Sequence, residues 1–233
     1  MFFHKDYAEP GPGVNPDAPE KTGAARLIEI LQLECVTLFK LNLLFVASCI
    51  PLITIPAAVF AMNQVIRRMI LDQTVDCFYH YRLAFQGYWK QAYAAFFLTV
   101  LPLFCAGFGA AFYLRRAGSN FLLFLPFMVC STVFLVTVLA SSYFYGVLST
   151  GRGLREALRL ALPLGLGKPA RAAASALCVY GSLTASLLAF PISLGYLLLI
   201  GFSAPCLLGN FFIRTVLREF SPKTPVKDTE KES

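Results

Sequence analysis

The stretch "LNLLFVASCIPLITIPAAVFAM", residues 41–62, is apolar enough to lie inside a membrane, yet it carries two prolines near its middle. A proline in a helix interior removes a backbone donor and clashes with the preceding turn, so Pro51 and Pro56 interrupt a single span. Pro56 suits the first turn of a new helix, which Thr54 could cap. The pattern predicts a helical hairpin that turns at Pro51, Thr54 and Pro56, and a single kinked or re-entrant segment is the alternative.

Apolar residues are concentrated in long blocks along the rest of the chain as well. Hydrophobic residues make up 57% of the 233 residues and charged residues 14%, whereas soluble domains are about half apolar and a quarter charged. Residues 92–114, 117–151 and 172–213 contain no charged side chain. Because a membrane-spanning helix needs about 20 apolar residues, we expect an all-α membrane protein with about six transmembrane helices in three hairpins. The re-entrant or kinked alternative for the first segment reduces this to about five spans.

The chain divides into two polar ends and one membrane domain. We predict a polar cytoplasmic leader over 1–23, a single polytopic membrane domain over 24–216 and a disordered charged tail over 217–233. The predicted spans lie near 25–50, 54–72, 91–113, 120–148, 170–189 and 192–214. Amphipathic interfacial segments are predicted at 74–90 and 150–165. A repeat supports this division, because "RLAFQGYWKQAYAA" from Arg82 is similar to "RLALPLGLGKPARAA" from Arg159.

Basic residues flank the apolar blocks. With Lys40 set aside as membrane-embedded, six spans place every other Lys and Arg on one side except Arg115 and Arg116. The positive-inside rule makes that side the cytoplasm and places both ends of the chain there. The predicted interfacial anchors are Arg82, Trp89, Lys90, Arg152, Arg155, Arg159 and Lys168. Their cations would face anionic lipids of the cytoplasmic leaflet, so the net charge of +7 requires no nucleic acid partner.

Polar side chains inside the first two predicted spans are candidates for function, because such groups are costly in lipid. They are Glu34, Lys40, Asn42, Asn63 and Gln64. One interpretation is a polar path between the two helices. The other is that Glu34 and Lys40 extend to an interface while Asn42 hydrogen-bonds a neighbouring helix or the backbone freed at Pro51.

Catalytic and metal-binding patterns are not visible in the sequence. The chain has two histidines, and its seven cysteines are scattered without a CxxC pair. No carboxylate occurs between Cys77 and Arg155, whereas hydrolysis or metal binding needs titratable groups that converge on one site. We therefore expect a non-enzymatic protein without a cofactor or metal.

Two segments carry a family resemblance. "FKLNLLFVASCIPLITIPAA" at 39–58 and "DCFYHYRLAFQGYWKQA" at 76–92 resemble motifs of the YesL-like family, uncharacterised bacterial integral membrane proteins classed as a domain of unknown function. The resemblance implies a place in the bacterial cytoplasmic membrane. It also implies an accessory or scaffold role beside a carbohydrate importer of the ATP-binding-cassette type, whose subunits would be the partners. Transport of a small solute by the chain itself, along the path at the first hairpin, is the alternative.

Overall fold

The computed structural model describes residues 23–71, 75–117 and 121–220, and its regular elements in these ranges are all helical. The first half contains α1 (Ala24–Leu33), α2 (Cys35–Cys49), α3 (Ile55–Ile70), α4 (Cys77–Gly87) and α5 (Trp89–Ala117). The second half contains α6 (Phe124–Leu148), α7 (Leu154–Gly167), α8 (Pro169–Ala176), α9 (Ser182–Leu188), α10 (Leu194–Leu199), α11 (Ser203–Phe212) and α12 (Arg214–Phe220). The all-helical fold class is thereby confirmed for the described residues, and the predicted leader and tail fall almost wholly outside them.

Helices long and apolar enough to cross a membrane are fewer than predicted. In the described ranges they are Trp89–Arg116, Phe121–Leu148 and Pro169–Leu188. The pair Ala25–Leu33 and Cys35–Cys49 adds a fourth only if this pair, bent by 69°, counts as one span. The prediction of six spans is not confirmed.

Two of the predicted spans are not single long helices in the structure, because local breaks interrupt them. The first, over 25–50, bends at Glu34, whose backbone leaves the helical region with φ −103° and ψ 12°. The last, over 192–214, divides between α10 and α11 at Ile200, where φ is −151°. Between them α3 has only 16 residues, most of them buried, so it lies inside the bundle.

The turn between α2 and α3 lies beside the beginning of α5. The hydroxyl of Tyr93 donates to the carbonyl of Ile53 in this turn, and Tyr93 is only about 6 Å along α5 from its first residue, Trp89. Six spans would place Trp89 and the turn on opposite sides of a bilayer about 30 Å thick. The observed contact therefore favours the re-entrant alternative for the first segment.

Hydrogen bonds satisfy the carbonyl groups of this turn. Pro51 is extended and is followed by a short 3₁₀ helix, and Pro56 lies in the first turn of α3. The predicted capping of α3 by Thr54 is absent, because the Thr54 hydroxyl donates instead to the carbonyls of Ser48 and Pro51. Such pairing is needed where the backbone meets lipid, since no water is present there.

The interfacial segment predicted at 150–165 forms α7, which packs along α6. Its buried side consists of Ala157, Ala161 and Gly165, and a Cβ atom on Gly165 would lie 3.2 Å from the backbone of Ala140. Small residues therefore allow the two helices to approach closely. Leu158 lies outside this small-residue stripe and is exposed.

Candidate functional site

A cavity of about 330 Å³ lies where α3, α5, α6 and α11 come together. Apolar side chains such as Met62, Phe96 and Leu183 form much of its wall, and uncharged polar side chains from several helices complete it. Among the described residues, none that lines the cavity is charged. An apolar pocket with a few convergent polar groups is the usual form of a small-molecule site.

One side of the cavity carries a pair of amides and a thiol. The Asn63 Oδ1 on α3 accepts a hydrogen bond of 2.9 Å from Asn210 Nδ2 on α11 and one of 3.4 Å from the Cys206 thiol. Asn210 Nδ2 also donates to the Cys206 carbonyl over 2.9 Å, and Asn63 Nδ2 donates to the Val59 carbonyl over 2.9 Å. These contacts join α3 to α11 and fix the orientation of both amides.

The other side carries two pairs of hydroxyl groups between helices. The Tyr145 hydroxyl on α6 lies 2.9 Å from Thr99 Oγ1 on α5. The Tyr180 hydroxyl lies 2.8 Å from Ser141 Oγ on α6. All four residues line the cavity, and these four hydroxyl groups belong to three separate segments of the chain.

Asn42 on α2 binds the break between α10 and α11. Its Nδ2 donates to the carbonyls of Leu197, over 2.9 Å, and Leu198, over 2.8 Å. Its Oδ1 accepts from the backbone amides of Phe202, over 3.0 Å, and Ser203, over 3.1 Å. A helix break leaves these backbone groups without intrahelical partners. The fully buried Asn42 supplies the missing partners.

Gly201 makes this break sterically possible at the edge of the cavity. A Cβ atom there would lie 2.5 Å from the Leu197 Cα, closer than real Cβ atoms come. The next residue, Phe202, lines the cavity, and its ring centroid lies 5.0 Å from that of Phe45 on α2. The break therefore contributes directly to the cavity wall.

The structure separates the five polar side chains that were predicted as candidates for function. Asn63 lines the cavity and Asn42 contacts its wall through Phe202, whereas Gln64 is buried on α3 without lining the cavity. Glu34 is half-buried at the bend between α1 and α2. Lys40 is exposed and borders a separate shallow pocket against α4. The first hairpin thus contributes two amides to the centre, and its ionisable groups lie elsewhere.

Residues that the sequence reasoning missed supply most of the polar lining. Thr99, Ser141, Tyr145 and Tyr180 lie in apolar blocks, where single hydroxyl residues are common and carry no pattern of their own. Asn210 did carry a signal, because it is the only amide side chain within 172–213. In the described ranges, no group of three or more His, Cys, Asp and Glu side chains could hold a metal ion.

Several predicted interfacial anchors meet at one end of the bundle. The Lys90 ammonium lies 5.5 Å from the centroid of the Trp89 ring. Gln91 Nε2 donates over 2.9 Å to the carbonyl of Arg152, whose guanidinium pairs with Glu156. The remaining anchors are exposed: Arg82, Arg155, Arg159 and Lys168. This arrangement joins the start of α5 to the segment before α7.

The long apolar helices, with large apolar side chains on their outer faces, are consistent with the class of helical membrane proteins. Residues 38–110 match a family described as "Protein of unknown function, DUF624". The match extends from α2 into α5 and includes Asn42, Asn63 and Thr99. Neither the curated proteins nor the solved structures yield a match to the chain. The narrower likeness to the YesL-like family stays a prediction.

Proposed function

We propose that the protein is a small-solute transporter whose path passes through the central cavity rather than along the first hairpin. The observation that carries this proposal is the cavity itself, which combines apolar walls with uncharged polar groups from several helices. Transport sites in membrane proteins are commonly built in this way, at the meeting point of several helices.

The lining favours an uncharged solute. Moving an ion from water into a low-dielectric site costs several kcal/mol unless a charge of opposite sign compensates it. The described lining residues offer no such charge. A neutral molecule avoids this cost and still gains hydrogen bonds and apolar contacts.

Interrupted helices beside the cavity support movement of the solute. The run from α8 to α9 contains a π-helical turn at Leu177–Gly181, and α10 is separated from α11 at Ile200. Val179, Tyr180 and Phe202 of these two interruptions line the cavity. Breaks of this kind are frequent at functional sites in membrane helices, because their backbone can rearrange locally.

Cysteine accessibility tests the path without knowledge of the solute. In a variant without the seven natural cysteines, we expect N-ethylmaleimide to label Leu183→Cys, because this position lines the cavity. The matched control is Leu187→Cys, one turn further along α9, where the leucine is 75% exposed on the outer surface. A thiol in lipid stays protonated and should react far more slowly. Equally slow labelling of both positions would contradict a path through the cavity.

An accessory role beside a carbohydrate importer is the second proposal. It is supported by the match over 38–110 and by the family resemblance in the same region. The exposed stripe Phe97, Leu101, Phe104 and Phe108 on α5 fits either lipid or another membrane subunit. Purification of the tagged chain in mild detergent should then recover importer subunits at a fixed ratio, and recovery of the chain alone would count against this role.

Both proposals are non-enzymatic and place the chain in the bacterial cytoplasmic membrane with its ends in the cytoplasm. The basic residues at the Trp89 end of the bundle support this orientation, because positively charged flanks stay inside. A tag before Met1 that reacts only with reagents added outside the cell would contradict it.

A further inference from the structure

The hydroxyl pair on α5 and α6 has one arrangement in which both hydrogens are paired. Thr99 Oγ1 donates its hydrogen within its own helix, to the carbonyls of Ala95 over 3.0 Å and Phe96 over 3.1 Å. A hydroxyl group has one hydrogen. Among the described residues, both hydroxyl hydrogens have a partner only when Tyr145 donates in its 2.9 Å contact with Thr99. The lone pairs of the Tyr145 oxygen then stay available to a solute as acceptors.

The second hydroxyl pair repeats this arrangement. Ser141 Oγ donates over 2.8 Å to the carbonyl of Val138 on its own helix. Here too, both hydrogens have a partner among the described residues only when Tyr180 donates in its 2.8 Å contact with Ser141. As with Tyr145, the phenol oxygen of Tyr180 keeps acceptor capacity and has no hydrogen left for a solute.

The amide side also presents an acceptor. Both Nδ2 hydrogens of Asn210 have partners at 2.9 Å, the Asn63 Oδ1 and the Cys206 carbonyl. The Asn210 Oδ1 accepts no hydrogen bond from the described residues. Groups that can accept a hydrogen bond, and whose own hydrogens are already paired, thus lie on both sides of the cavity.

From this hydrogen count, and resting on the proposed function, we infer that the solute is an uncharged hydrogen-bond donor with an apolar body. Its hydroxyl or N–H groups meet the oxygens of Tyr145, Tyr180 and Asn210, while its apolar surface contacts side chains such as Phe96 and Leu183. A molecule with hydrogen-bond acceptors alone would place its own oxygen atoms against these three oxygens, with no hydrogen between them. An anion would add the cost of burying its charge.

Three naphthalene probes of similar shape separate these possibilities. They are 2-naphthol, which donates a hydrogen bond, 2-methoxynaphthalene, which only accepts, and 2-naphthoate, which is an anion. Binding to the full chain in lipid nanodiscs is measured by probe fluorescence, with empty nanodiscs subtracted to remove partition into lipid. We expect 2-naphthol to bind about tenfold more tightly than the methyl ether, the ratio that one hydrogen bond supplies.

A paired substitution tests which groups impose the preference. Thr99→Val together with Ser141→Ala removes the two oxygens to which Tyr145 and Tyr180 donate. Both phenols would then have a free hydrogen and could donate to the ether, so the Kd ratio should fall to about threefold or less. The control is Thr132→Val on α6, whose hydroxyl donates to its own helix outside the cavity lining; its ratio should equal that of the unchanged protein.

The possible outcomes distinguish the inference from the proposed function. Equal binding of the ether and 2-naphthol, or tightest binding of 2-naphthoate, overturns the inference. An unchanged ratio in the paired variant overturns the role of the phenols, and failure of all three probes to bind overturns the choice of solute. In each case the labelling of Leu183→Cys still decides separately whether the cavity is a path.

Discussion

The side-chain oxygen of Asn42 accepts a hydrogen bond of 3.0 Å from the backbone amide of Phe202, 160 residues later in the chain. This contact joins the first hairpin to the last interrupted helix at the wall of the cavity. Lipid offers no substitute for a lost backbone partner. The geometry of this wall therefore depends on a single amide from a distant helix.

Replacement of Asn42 by leucine should destabilise the fold. Asn42→Leu leaves two carbonyls and two amides at the break without their partner, and we expect a loss of about 2–4 kcal/mol in the free energy of unfolding. Lys40→Leu, two residues earlier at an exposed position, is the control and should change it by less than about 0.5 kcal/mol. Unfolding by SDS in mixed micelles measures both, and equal stabilities would contradict the bridging role of Asn42.

A methyl group at Gly201 should disturb the same break by a steric route. Gly201→Ala places a Cβ atom 2.5 Å from the Leu197 Cα, so the backbone must shift at a cost of about 1–3 kcal/mol. Gly195→Ala on α10 meets open space and should leave stability equal or slightly higher, because alanine favours a helix. Thermal unfolding in detergent compares the two. A Gly201→Ala protein as stable as the Gly195→Ala protein would show that the break is not tightly packed.

The position of the first turn can be tested by labelling from outside the cell. Because the turn lies beside Tyr93 near the start of α5, we expect a charged, impermeant maleimide not to reach Ile53→Cys in intact cells. Ser119→Cys, in the segment predicted to lie outside, is the positive control. Labelling of both positions would restore a first hairpin that crosses the membrane twice.

Cys77 on α4, outside the predicted spans, should react in a pH-dependent way. Burial, with a smaller contribution from the Asp76 carboxylate, raises the pKa of this thiol to about 11. The thiolate is the reactive form, so in a variant that keeps only Cys77 the rate with iodoacetamide should rise about tenfold per pH unit between pH 7 and about 10. In SDS the reaction rate of the unfolded chain should stop rising above about pH 8.5, the ordinary pKa of a thiol. The same plateau in the folded protein would contradict this burial.

The features predicted well from the sequence were those that depend on local composition. Spans predicted at 91–113 and 120–148 correspond to Trp89–Arg116 and Phe121–Leu148, because a long uncharged block specifies a long apolar helix wherever it occurs. The depth to which residues 41–62 enter the membrane could not be predicted from composition. A hairpin that enters the bilayer and returns has the same apolar composition as one that crosses it.

The cavity could not be predicted from the sequence, because its polar lining depends on pairings between distant parts of the chain. Thr99 meets Tyr145 across 46 residues, and Ser141 meets Tyr180 across 39. Each side chain alone is an ordinary hydroxyl in an apolar helix, so no spacing in the sequence could reveal the pair. Asn42 and Asn63 were found because isolated amides in apolar segments are costly enough to need a reason.

The turn at Pro51 has a consequence for the shape of the whole protein. Ile50, Leu52 and Ile53 are each more than three-quarters exposed, which suits acyl chains around a turn that stops within the bilayer. A re-entrant hairpin would occupy the leaflet on the Trp89 side alone and would give the protein a larger cross-section there than in the opposite leaflet. Such a wedge should favour membranes curved toward the wider side, and unequal partition between small and large vesicles would measure that preference.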